Sequence, residues 1–112
     1  MHDKRRFPRH PVALEAAYEV GTGEQGRLVE TESVNVSLGG CTLLMPGVEK
    51  PGTRIRVHLM LPSEDEVAIL GTVAWVRQGL AGQVGALGVA FEATRALPPA
   101  YLAYLDRLAP AP

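Results

Sequence analysis

Two short groups of residues have the types and spacing to hold an anion. The first is Arg5-Arg6-Phe7-Pro8-Arg9. A guanidinium is a planar fork of donors that fits phosphate oxygens two at a time, and fits the O6/N7 edge of guanine equally well. Arg5 and Arg9, four positions apart, could clamp one compact ligand, with Arg6 as a third cation. Pro8 restricts Phe7 to extended backbone, so this arm is a loop or strand and not a helix. The second group is Asn35-Val36-Ser37-Leu38-Gly39-Gly40. Asn35 and Ser37 carry short polar side chains that favour turns and can offer oxygens to a ligand. Gly39 and Gly40 allow positive φ and close approach of another group to the backbone.

Each group also has a plain structural reading. Basic runs are commonly solvated tails, and an Asn-Ser-Gly-Gly corner can be an ordinary strand-to-strand turn. Trp75 and Arg77, at the end of a predicted strand, could meet a base by stacking or cation–π contact. A lone Trp on an apolar strand face is more often core.

Other constellations carry less. His2, His10 and His58 lack metal-ligand spacing, and their sole sulfur partner would be Cys41, so no metal site is expected. Cys41 has no internal disulfide partner, and its apolar neighbourhood reads as a small buried residue. No Ser-His-Asp or paired-carboxylate arrangement emerges, and no enzyme activity is expected.

The elements that must position these residues are mostly strands. Ile55, Val57, Leu59 and Leu61 alternate with Arg54, Arg56, His58 and Met60, the period of a half-buried strand. Val12 to Val20 and Leu87 to Phe91 repeat the pattern. From Val67 to Arg77 the apolar face is read as Val67, Ile69, Val73 and Trp75, with Gly71 marking a bend or bulge on that face. Residues 27–36 and 40–45 bring the count to about six short strands. Turn signals such as Pro51-Gly52 and Pro62-Ser63 separate them. Such spacing predicts a mainly β fold, a small antiparallel barrel or sandwich. Pro98-Pro99 suits a first helical turn. Tyr101, Leu105 and Leu108, with Leu102 beside them, then predict a short C-terminal α-helix over 98–108 that packs on the barrel. Residues 1–112 are read as one domain: an arm (1–11), a barrel (12–92) and the helix.

Composition narrows the partners. Formal net charge is -1, and Lys4, Arg5, Arg6 and Arg9 hold four of the eleven basic residues. A local cluster on a nearly neutral chain suits a small anionic ligand better than a polymeric nucleic acid. No apolar run nears the roughly 18 residues of a membrane span, and the N-terminus lacks a secretory pattern. A cytoplasmic location is expected.

Taken as Arg-x-x-x-Arg (Arg5, Arg9) followed by Asn-x-Ser-x-x-Gly (Asn35, Ser37, Gly40), the two groups resemble the signature motifs of the PilZ domain family. The likeness extends through Gly71-Thr72-Val73-Ala74-Trp75-Val76 and Gly88-Val89-Ala90-Phe91 to the closing helix. It implies a six-stranded antiparallel β-barrel with the arginine arm on one side, and a receptor for the bacterial second messenger cyclic di-GMP. Arg5 and Arg9 would hold phosphates and guanine edges, Asn35 and Ser37 would bond a guanine, and Gly40 would let the base approach. Lys4, which precedes the first motif arginine, bears on whether one ligand or a stacked pair binds. Arg6, Gly39, Trp75 and Arg77 are further candidates. No cofactor beyond that ligand is implied.

The output would pass through an effector protein, on the pattern of motility or exopolysaccharide regulation, with the chain a monomer or homodimer. An adaptor that has lost nucleotide binding is the alternative, with Leu44, Met60 or Leu80 as its docking patch. Single-stranded nucleic acid binding, as on OB-folds, would need more stacking aromatics and a basic groove.

Overall fold

The computed structural model describes residues 7–21, 26–92 and 96–109. Lys4, Arg5 and Arg6 lie outside the described residues. Seven strands and one helix follow in order: β1 (His10–Pro11), β2 (Glu15–Val20), β3 (Arg27–Val36), β4 (Gly40–Met45), β5 (Arg54–Met60), β6 (Glu66–Arg77), β7 (Gly85–Phe91) and α1 (Pro99–Leu108). The sheet order is β1-β3-β2-β5-β6-β7-β4, and pairing of β3 with β4 closes it. The result is the expected antiparallel barrel of six strands, β2 to β7, with β1 added beside β3.

Strand alternation fills the barrel. Tyr18, Val36, Leu43, Val57, Leu59, Val73 and Leu87 point inward and are fully buried. Their neighbours in sequence face out, as period-2 geometry requires.

Three expectations about these elements need correction. The run from Val12 to Val20 is not one strand. Ser33 Oγ accepts the Leu14 N–H at 2.8 Å and donates to the Val12 carbonyl at 2.6 Å. That inserted hydroxyl interrupts the ladder, so β1 and β2 run along the same side of β3 with a gap between them. The arm therefore ends in paired strand at His10–Pro11.

The bulge assigned to Gly71 falls three residues later. Gly71 pairs regularly with Ile55 and Phe91, whereas the β6–β7 register shifts between Val73 and Trp75. Glycine is needed at 71 for another reason: a Cβ there would meet Val89 Cγ1 at 2.6 Å and the Ala90 carbonyl oxygen at 2.8 Å. The extra residue, Ala74, reverses the alternation, so Trp75 leaves the core face and Val76 turns toward it.

In α1, Tyr101, Tyr104 and Leu105 are the buried residues, while Leu102 is exposed. Tyr104, three residues beyond Tyr101, takes the place assigned to Leu102 on the apolar stripe. Tyr101 packs edge-on against Phe91, with ring centroids 5.9 Å apart. Its hydroxyl donates to the Ser37 carbonyl at 2.6 Å, tying the helix to the turn between β3 and β4.

Candidate functional site

Four outward positions line up across neighbouring strands. Asn35 pairs with Thr42, Thr42 with Gly88, and Gly88 with Trp75. Paired residues in an antiparallel sheet share a face, so β3, β4, β7 and β6 present one row on the barrel's outer wall. The next row begins with Gly40 opposite Ala90. Small residues at 40, 88 and 90 leave this patch of wall low. Gly88 has to be bare, because a Cβ there would overlap the Trp75 indole at Nε1.

The turn that closes β3 to β4 is set by Ser37. Its N–H donates to the Gly40 carbonyl at 2.9 Å. Its hydroxyl donates to the same oxygen at 3.0 Å and accepts the Gly40 N–H at 3.2 Å. The Ser37 side chain is thus engaged by the turn and is 7 % exposed. Gly40 packs against the β7 backbone so closely that no side chain fits.

Over this wall lies the described part of the arm. The Phe7 ring covers Gly39, 2.8 Å from where a Cβ would stand. Arg9 Nη1 donates to Thr42 Oγ1 at 3.4 Å, at the long end of hydrogen bonding. Phe7, Arg9, Ser37, Gly39, Gly40 and Trp75 border a shallow pocket of about 260 Å³. Beneath them Cys41 is buried; burial pushes its thiol up to about 12, with the Arg9 charge opposing that rise.

Five of the candidate residues, Arg9, Ser37, Gly39, Gly40 and Trp75, therefore meet at one pocket. Asn35 stands at the end of the same row, and its Oδ1 is buried without a hydrogen-bond partner among the described residues. Arg77 pairs with Ala86, two residues further along β6, and does not line the pocket. Phe7, Thr42 and Gly88 escaped the sequence reading. Thr42 was within reach, since Cys41, Leu43 and Met45 mark the inner face of β4 and leave Thr42 outside.

A second charged cluster lies elsewhere. Glu49, only 5 % exposed, accepts both Arg27 nitrogens at 2.9 and 2.7 Å and the Tyr18 hydroxyl at 2.8 Å. The Arg27 bonds hold its carboxyl below the usual carboxylate range, against the opposing effect of burial. The cluster pins the β4–β5 loop to the β2–β3 hairpin.

Among known families, the PilZ domain model matches residues 3–103. No curated protein sequence matches. Solved structures share the fold. The inhibitor of motility MotI/DgrA of Bacillus subtilis superposes with a TM-score of 0.72 at 17% identity, over 96% of this chain and 50% of that one. The present chain thus spans about half the length of that relative. The PilZ domain of YcgR from Escherichia coli, solved with c-di-GMP, gives a TM-score of 0.68 at 13% identity over 95% and 89% of the two chains. The MrkH–c-di-GMP complex of K. pneumonia gives 0.63 at 18% identity, over 82% and 45%.

Proposed function

Because this chain belongs to the PilZ domain family, we propose that it is a receptor for cyclic di-GMP, held between the arm and the Asn35–Thr42–Gly88–Trp75 row. The observation that carries this reading is the meeting of Arg9, the Ser37–Gly40 turn and Trp75 at one pocket. A pocket of about 260 Å³ is below the roughly 300–1,000 Å³ that encloses a whole small ligand. It suits one base of a cyclic dinucleotide, leaving the phosphates to the arm.

The roles follow from the groups. Trp75 offers a flat apolar face for base stacking, worth about 1–3 kcal/mol per base. Asn35 Oδ1, an acceptor already stripped of water, gains a partner when a guanine N–H arrives. Arg9, whose long contact to Thr42 is its one side-chain hydrogen bond among the described residues, can swing onto a phosphate, with Arg5 as the second fork. Ser37 acts through the turn, fixing where Gly39 and Gly40 lie. Ligand that draws in the arm changes the surface at the barrel's side, and a partner protein reads that change.

The satisfied hydroxyl of Ser37 favours one rival reading, an adaptor that has kept the turn and lost the nucleotide. Calorimetric titration with cyclic di-GMP, beside GTP and cyclic GMP, decides between them. Saturable heat with cyclic di-GMP alone, abolished in the Arg5→Ala/Arg9→Ala double variant, is expected of a receptor. No heat in the unaltered protein would leave the adaptor. The same titration counts ligands per chain and so tests the role of Lys4.

A further inference from the structure

A groove of about 610 Å³ runs across the outer wall, with no lining residue in common with the ligand pocket. Its rim carries Glu15, Glu30, Glu32 and Glu66, and no lysine or arginine lines it among the described residues. None of these four makes an ion pair among the described residues. Its floor is apolar and open: Leu28, Val84 and Met60 remain 61%, 55% and 37% exposed, and Leu44 and Ala17 lie between them.

The register makes this arrangement costly. Glu32 stands directly opposite Glu15 on neighbouring strands, and Met60 of β5 separates Glu15 from Glu66. Like charges facing across a ladder weaken it, and open apolar surface of this kind contributes nothing to a free barrel. A cationic occupant with apolar side chains relieves both penalties at once. It neutralises the facing carboxylates and covers the leucine and methionine floor.

We infer that this groove docks a partner protein through a segment that alternates basic with apolar residues. Charge complementarity selects the cation, and the Leu28–Met60–Val84 floor selects the apolar half. The groove also shares β4 with the ligand pocket, Gly40 and Cys41 bordering one and Leu44 the other, and β3, which carries Glu32 to the groove, runs on into the Ser37–Gly40 turn at the pocket. The docking itself stands apart from nucleotide binding. Its use as the output surface rests on the receptor reading.

The test uses a fluorescein-labelled synthetic peptide alternating Lys and Leu, with Lys/Ser and Glu/Leu peptides beside it. Affinity is read by anisotropy and location by amide shift changes. The Lys/Leu peptide is expected to bind, with shifts centred on Ala17, Leu28 and Met60. Glu15→Gln/Glu30→Gln/Glu32→Gln, all at exposed positions, should weaken it at least tenfold. Glu64→Gln/Asp65→Asn/Asp106→Asn removes equal charge outside the groove and should change it less than twofold. Equal losses in the two variants, shifts centred elsewhere, or no binding would overturn the docking site. Equal binding of the Lys/Ser peptide would overturn the amphipathic occupant. Repeating the titration with saturating cyclic di-GMP tests the output role alone: unchanged affinity would detach the groove from the ligand, whatever the nucleotide titration shows.

Discussion

The Trp75 indole lies directly on the backbone of Gly88, its partner across the β6–β7 ladder. A side chain at 88 would have to displace the ring, and the ring is the one large aromatic surface that β6 offers to the pocket.

Gly88→Ala should therefore act through the ring as well as on the pocket wall that Gly88 itself lines. Overpacking of this kind costs about 1–3 kcal/mol, to be read as a lower denaturation midpoint. Affinity for cyclic di-GMP should fall alongside, because the ring no longer rests where a base can stack. Trp75→Ala should lower affinity by roughly five- to 150-fold, in keeping with about 1–3 kcal/mol for a stacked base. Calorimetry on both variants checks the pair. Unchanged affinity in Trp75→Ala would remove the indole from the binding face.

The placement of Trp75 also marks where the sequence stops being legible. Period-2 alternation locates the strands, and Arg9, Ser37, Gly39 and Gly40 of the two motifs border the candidate pocket. A one-residue insertion is invisible to that pattern, since Val73-Ala74-Trp75-Val76 reads the same with the bulge or without it. The Ser33 hydroxyl that divides β1 from β2 is equally silent, because Ser fits a strand, a turn or a break. Glu49 carries no local signal at all: its partners Tyr18 and Arg27 are brought to it by the barrel. Long-range polar pairs of this sort belong to the fold and not to any stretch of chain.

Ser37→Ala separates turn from ligand. The hydroxyl bonds Gly40 twice, so its loss should cost about 1–2 kcal/mol of stability. Affinity for cyclic di-GMP should weaken only as far as the turn shifts, by severalfold. A loss as large as that of the arginine double variant, with stability intact, would return Ser37 to direct contact with the base.

Asn35→Asp should trade one property for another. A carboxylate only accepts, and hydrogen bonds to charged groups contribute about 1.5–3 kcal/mol against about 0.5–1.5 for neutral ones. Cyclic di-GMP should bind about tenfold tighter. The free protein should melt lower, because the buried Oδ1 position has no donor among the described residues to meet a charge. Melting curves with and without ligand give both readings. Tighter binding absent, or a higher melting point for the free variant, would contradict the assignment.

Acid and alkaline stability should be bounded by different groups. Glu49 has a lowered folded value, so its contribution is present above the ordinary carboxylate range and is lost as pH falls through the folded value. Arg27→Ala removes the largest cause of that lowering. It should shift the acid midpoint upward and cost about 1–3 kcal/mol at neutral pH, discounted because the arginine is half exposed. At the other limb the values are raised, for Cys41 by burial and for Tyr18 by burial and by the Glu49 bond. Their contributions are present below the ordinary thiol and phenol values and lost as pH rises beyond them. Denaturant melts across pH check both limbs, and an acid midpoint unmoved in Arg27→Ala would show that Glu49 does not set it.

Cys41 offers a direct probe of how the pocket opens. The thiolate is the reactive form, and a thiol that is buried and pushed up to about 12 supplies almost none at pH 8. Labelling by an aromatic disulfide should therefore wait for local opening. Because Cys41 lies on the inner face of β4, next to the Ser37–Gly40 turn, the opening that exposes it has to part the start of β4 from the barrel. Saturating cyclic di-GMP, bridging arm to wall, should slow labelling by at least tenfold at a denaturant concentration too low to unfold the chain. The Arg5→Ala/Arg9→Ala variant should show no such protection. Equal labelling rates with and without ligand in the unaltered protein would mean that the bound nucleotide does not hold β4 to the barrel.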